Sequence, residues 1–253
     1  MQAVLYICHG SRVPAATAEA IEFVEKTMKL VDAPIQEYCF LELASPSISE
    51  GVRQCVEQGA TKIAVVPVLL LTAAHAKQDI PQELEVEKNQ YPEIKFSYGR
   101  PLGVNDRMVD AVLERIHAKS PDVEGLDILL IGRGSSDQDA VADTQEIVDL
   151  LQSQLPKSSS VRKCFLAAAQ PKFEEALVER VQSGAERIML VPYLLFTGIL
   201  MTGIEKTVNE LELQPAQEVL ISDYLGSHPN VCETLKMRVE EAIKEGDSHA
   251  TMA

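Results

Sequence analysis

The chain has 253 residues, of which 46% are hydrophobic and 24% charged, and its formal net charge is −15. That is the balance of a soluble globular protein of one or two domains. The acidic excess argues against nucleic acid as a partner, because neutralising phosphates needs a basic face. No apolar run reaches the roughly 18 residues of a membrane span.

Taken in chain order, apolar runs of strand length alternate with amphipathic stretches of helix length, the pattern of parallel α/β units. Strands are predicted near 3–8, 35–41, 62–71 and 94–98, with helices near 15–31, 46–58, 77–89 and 105–118. The first run leads straight into His9 and reads as a strand, not a signal peptide. Ser45 and Pro46 suit an N-cap and first turn, and Gly59 suits a left-handed C-terminal cap. A polar, turn-rich stretch at 120–125 is the natural boundary. Strands then recur near 127–131, 161–167, 187–196 and 218–222, and the last residues lack periodicity. The expected organisation is a first domain over 1–121, a second over 122–246 and a frayed tail over 247–253.

The recurrence is a tandem duplication. Residues 6–12 read YICHGSR and 130–136 read LIGRGSS; 40–46 read FLELASP and 165–171 read FLAAAQP. Likewise 59–72 read GATKIAVVPVLLLT and 184–197 read GAERIMLVPYLLFT. What the copies share is scaffold, including Pro67 and Pro192, whose position inside a strand implies an edge or a bulge. The fold expected is α/β, with two duplicated domains, each a four-stranded mainly parallel sheet ordered 2-1-3-4 and flanked by helices, and an active-site cleft between them.

The differences between the copies carry the chemistry. His9 is matched by Arg133, Glu42 by Ala167 and His75 by Leu200. All three first-copy residues follow strands, so in a parallel sheet they converge on one edge, where ligands bind at the switch point between strands 1 and 3. Two imidazoles and a carboxylate suit Fe(II), Co(II), Ni(II) or Zn(II) better than Mg(II) or Ca(II), and three ligands leave positions open. Metal-activated water, non-haem iron oxygen chemistry and transfer of the metal to an organic chelator all fit. Gly10-Ser11 resembles a phosphate-cradling turn, but both copies keep Gly-Ser, so turn and cap are its simpler roles. Arg12, Lys77 and Arg133 are cations that could meet anionic ligand groups. His117, His228 and His249 carry no such pattern. The five cysteines (Cys8, Cys39, Cys55, Cys164, Cys232) include no Cys-x-x-Cys pair, which argues for reduced thiols in a cytosolic protein.

His-Gly-Ser-Arg12 after the first strand, Glu42 in FLE, the VVPVLLL strand with His75 beyond it, and Asp79-Ile-Pro81 together resemble the class II tetrapyrrole chelatases. Within that family the resemblance is to the bacterial sirohydrochlorin ferrochelatases, related to the cobaltochelatases of cobalamin synthesis, and it spans nearly the whole chain. It implies insertion of Fe(II) into sirohydrochlorin to give sirohaem, with a tetrapyrrole and a divalent ion as partners; the cysteine usage points to the cytoplasm, and a duplication that supplies two facing lobes in one chain points to a monomer. It implies His9, His75 and Glu42 as metal-binding and catalytic residues, leaving open which imidazole is base and which is ligand. Ser11, Arg12, Lys77, Arg133 and Ser135 are the candidates for holding the macrocycle. Fe(II) is a substrate, with Co(II) or Ni(II) as substitutes. No permanently bound cofactor is expected, and no iron–sulfur centre, because the cysteine cluster of longer relatives is missing. Cobalt insertion and a non-catalytic tetrapyrrole or metal carrier are the alternatives.

Overall fold

Strands β1 (Gln2–Cys8) and β3 (Lys62–Val68) are buried along every residue but the first. A strand apolar on both faces belongs inside a parallel sheet with helices above and below. The computed structural model, which describes residues 1–250 and side chains through 247, puts both strands there. With β2 (Ile35–Phe40) and β4 (Lys95–Tyr98) they form a parallel sheet ordered β2-β1-β3-β4. The second sheet repeats it as β6-β5-β7-β8, from β5 (Asp127–Gly132), β6 (Ser160–Phe165), β7 (Arg187–Tyr193) and β8 (Glu218–Ile221). Both match the predicted order.

The helices are α1 (Pro14–Met28), α2 (Ile48–Glu57), α3 (Ile80–Gln90), α4 (Asp106–Lys119), α5 (Gln138–Gln154), α6 (Phe173–Gln182), α7 (Ile199–Asn209) and α8 (Pro229–Ala250). Ala3, Leu5 and Ile7 of β1 pack with Ile48, Val52 and Cys55 of α2 and with Ile80 and Leu84 of α3. The cap of α2 is Ser47, not Ser45: its hydroxyl accepts from the Glu50 N–H while the Glu50 carboxylate accepts from the Ser47 N–H. This reciprocal pair satisfies two orphan donors at once, and Ser45 and Pro46 lie in the preceding loop, joined by a cis peptide. Gly59 and Gly184 end their helices at φ 89° and 81°, as expected.

Strands β3 and β7 stop earlier than predicted. Leu69 and Leu70 leave the sheet to accept from the N–H groups of Leu102 and Gly103. The prolines now have a local explanation. Val65 offers its carbonyl to Gly99 on the β4 side, and backbone groups alternate sides, so the missing N–H of Pro67 also falls on that side. Pairing with β4 ends at Val65, so no ladder bond is lost there. Pro192 stands in the same relation to β8, whose pairing ends at Leu190.

The compact units do not follow the sequence repeats. One comprises Met1–Gly103 with Pro229–Ala253, the other Val104–His228. Helix α4, within the first repeat, packs on β7 and α5; α8, at the end of the second, packs on β3, β4 and α1. The boundary expected near 121 therefore marks a repeat and not the edge of a compact body. The exchange is anchored alike in both units. Arg238 of α8, 3% exposed, donates to the Pro101 and Leu102 carbonyls of the turn after β4. Arg115 of α4 donates to the Leu225 carbonyl after β8. The tail expected to fray from 247 continues in α8 to Ala250, and 251–253 lie outside the described residues.

Candidate functional site

Because β1 runs between β2 and β3, the loop after it has the other two as neighbours. The connection is a backbone lock. The Glu42 N–H donates to the His9 carbonyl at 3.1 Å, and the Glu42 carbonyl approaches Gly10 so closely that a Cβ there would lie 1.7 Å away. Gly10 also sits at φ +94°, so only glycine fits. The second copy repeats the lock with Arg133, Gly134 and Ala167. Leu43 and Ala168, next along, both adopt positive φ. The scaffold is thus common to both units, and His9, Glu42 and His75 are carried by one.

In that unit His9 is the centre of a row. Its Nε2 lies 3.1 Å from His75 Nε2 and 3.6 Å from Glu42 Oε1. The rings meet edge to face at 4.6 Å between centroids. His9 Nδ1 is 3.1 Å from the Gly10 carbonyl, which can only accept, so this nitrogen carries the hydrogen. His75 Nδ1 is 2.7 Å from Asp79 Oδ2 and donates likewise. Both Nε2 atoms then present lone pairs to each other, an arrangement that calls for a proton or a cation between them. With a metal–imidazole bond of about 2.1 Å, nitrogens 3.1 Å apart subtend about 95° at the metal. That is near the angle of adjacent octahedral positions and below the tetrahedral one.

Both imidazoles are about 30% exposed and Glu42 half exposed, so water and a ligand reach the row. Among the described residues no group of three or more His, Cys, Asp or Glu side chains is arranged to hold a metal ion; His9, His75 and Glu42 form an open row. Cys8, next to His9, is 1% exposed, and burial pushes its thiol up to about 12.

The other candidates are placed as follows. Ser11 and Ser135 occupy equivalent turns, each hydroxyl accepting from the backbone N–H two residues on, at Val13 and Asp137. Arg12 and Lys77 are exposed on the unit that carries the row, and Arg133 is exposed at the end of β5 in the other. His228, given no role, is buried against Glu114, and burial lowers its pKa. The residue without an assigned role that the geometry adds is Asp79. Its i,i+4 spacing from His75 was the available signal.

The CbiX family model matches residues 3–119 and again 127–242. The chain belongs to the CbiX family. Sirohydrochlorin ferrochelatase of Priestia megaterium is 46% identical over 244 residues, covering 96% of this chain and 91% of that protein. The structure of SirB from Bacillus subtilis with Fe3+ is 44% identical, with a TM-score of 0.86 and 95% of each chain covered. The sirohydrochlorin chelatase SirB from Bacillus subtilis subspecies spizizenii in complex with cobalt is 42% identical, with a TM-score of 0.84 over 98% of this chain and 97% of that one. Two duplicated parallel sheets are therefore the architecture of this CbiX chain and of its structural relatives.

Proposed function

We propose that this CbiX chain is a sirohydrochlorin ferrochelatase, inserting Fe(II) into sirohydrochlorin to give sirohaem. The observation that carries the reading is the facing Nε2 pair of His9 and His75, with Glu42 beside it. It lies in a chain 46% identical to a sirohydrochlorin ferrochelatase.

The chemistry follows from the row. Fe(II) bound by His9, His75 and Glu42 keeps open positions, through which the macrocycle nitrogens reach it. Insertion removes two pyrrole protons and adds one dication, so two protons must leave for each metal delivered. As the metal passes to the macrocycle, the two Nε2 lone pairs that held it are freed, and a freed imidazole accepts a pyrrole proton. Glu42 offsets cation charge and passes protons outward. Four macrocycle nitrogens hold the metal more firmly than three weak protein ligands, which sets the direction. Imidazole and carboxylate donors do not themselves favour iron, since the general affinity order puts copper and zinc higher.

In this reading the first repeat, 1–121, supplies the metal chemistry and the second, 122–246, shapes substrate binding. Arg133, Arg12 and Lys77, with the turns at Ser11 and Ser135, hold the macrocycle carboxylates against a chain of net charge −15. The enzyme acts as a cytoplasmic monomer with no permanent cofactor and no iron–sulfur centre. Five buried free thiols agree with a reducing compartment. In this reading neither nucleic acid nor membrane is a partner.

Cobalt insertion is the second reading, favoured by the cobalt complex of the 42% identical chelatase. Steady-state rates with sirohydrochlorin and equal Fe(II) or Co(II), measured without oxygen, separate the two. Iron should give the higher kcat/KM. A higher value for cobalt would reverse the assignment, and no acceleration with either metal would leave a carrier.

A further inference from the structure

His75 opens a π-helical turn, His75–Asp79, that runs into α3. Such turns are rare and gather at functional sites; this one has a traceable cause. The Ile80 N–H donates to the His75 carbonyl, five residues back, and so is diverted from Ala76, its α-helical acceptor. In the wider register the donor to Ala76 would be residue 81, a proline with no N–H. The carbonyl of Ala76, a residue 4% exposed, is thus left without a backbone donor. The Tyr98 hydroxyl, reaching from β4, donates to it at 2.8 Å.

The second copy lacks every part of this arrangement. Helix α7 is regular from Ile199 to Asn209, Glu205 stands where Pro81 follows Ile80, and Ile221 takes the register position of Tyr98. The buried pair Ala76 and Met201 is offset by 125 residues, the buried pair Ile80 and Ile204 by 124. One extra residue lies between them in the first copy, which is what a π turn absorbs. The extra residue, the proline and the tyrosine accompany His75 and are absent where leucine replaces it.

We propose that this turn is a positioning device for His75, in which Asp79 fixes the imidazole and Tyr98 fixes the backbone that carries it. Asp79 accepts from Nδ1 at 2.7 Å, which keeps the hydrogen off Nε2 and aims that lone pair at the position facing His9. A ring released from Asp79 can turn, and can carry its hydrogen on Nε2, where it blocks the metal. Neither Asp79 nor Tyr98 touches the metal, so both act through His75. Outer partners of this kind typically change metal affinity about 10–100-fold.

The inference rests on His75 being a ligand, and its test keeps the two claims apart. Co(II) alone is titrated into the full chain as wild type, Asp79→Ala, Asp79→Asn, Tyr98→Phe and His75→Ala. Nitrogen-15 shifts of the imidazoles are recorded on the metal-free protein. Asp79→Ala should bind Co(II) about 10–100-fold more weakly and move hydrogen from Nδ1 to Nε2 of His75. Asp79→Asn, which retains an acceptor oxygen, should recover most of the affinity, and Tyr98→Phe should lose about fivefold. Asp79→Ala binding within twofold of wild type, with the hydrogen still on Nδ1, would overturn the positioning role. If His75→Ala also bound Co(II) normally, the ligand reading itself would fall.

Discussion

The three residues proposed as the metal site were legible because the chain carries its own control. Comparing the copies subtracts the scaffold and leaves His9, Glu42 and His75, which the structure brings into one row. Asp79 and Tyr98 were not legible in the same way. Their proposed roles depend on a π turn, and that turn leaves the Ala76 carbonyl to a hydroxyl reaching from β4, a contact between distant parts of the chain that no periodicity displays. The turn role of Ser11 was readable from its presence in both copies, and its hydroxyl is committed to the Val13 N–H. The residue on which the row most depends carries no chemistry at all. Gly10→Ala would place a methyl group 1.7 Å from the Glu42 carbonyl at φ +94°, forcing apart the loops that hold His9 and Glu42. Strain and overpacking together should cost about 2–4 kcal/mol, read as a lower urea midpoint, with metallation lost beyond what the remaining folded fraction explains.

At the scale of elements, the sheet order followed from the alternation of strands and helices, whereas the ends of elements did not. Strand β3 stops short of Leu69 because the turn at Leu102 and Gly103 offers the Leu69 and Leu70 carbonyls other donors, a contact made across more than thirty residues. The same turn is held by Arg238, so helix, turn and strand end form one chain of bonds leading to the His75 segment. Arg238→Ala would leave the Pro101 and Leu102 carbonyls without their buried donor and should destabilise by about 3 kcal/mol in urea unfolding. Its partner Glu241 makes the effect pH-dependent. Hydrogen bonds from Arg100 and then Arg238 hold that carboxyl below its usual pKa. A lowered folded value contributes stability that is fully present above the ordinary carboxylate pKa of about 4.3 and is lost as pH falls through the folded one. Glu241→Gln should therefore be less stable than wild type at neutral pH and lose less on acidification. Parallel acid limbs for the two proteins would remove Glu241 from this role.

At the scale of the whole molecule the duplication was plain in the sequence and the exchange of helices was not. Both sheets present nearly the same apolar faces, so the pattern of α4 or α8 says that each covers a sheet without saying which. The repeat boundary near 121 and the compact units, Met1–Gly103 with Pro229–Ala253 and Val104–His228, are therefore different divisions of one chain. Duplication also allows the chemistry to be concentrated, since one copy can carry the ligands while the other keeps the scaffold with Arg133, Ala167 and Leu200 in their places. The most direct measurement is the initial rate of Fe(II) insertion into sirohydrochlorin by His9→Ala and by His75→Ala, each beside its urea midpoint. Both side chains stand on the partly exposed rim, so truncation should leave the midpoint within roughly 1 kcal/mol of wild type. The rate should fall by orders of magnitude in both. Rates within a factor of about two of wild type, with the fold intact, would contradict a metal site built on this histidine pair.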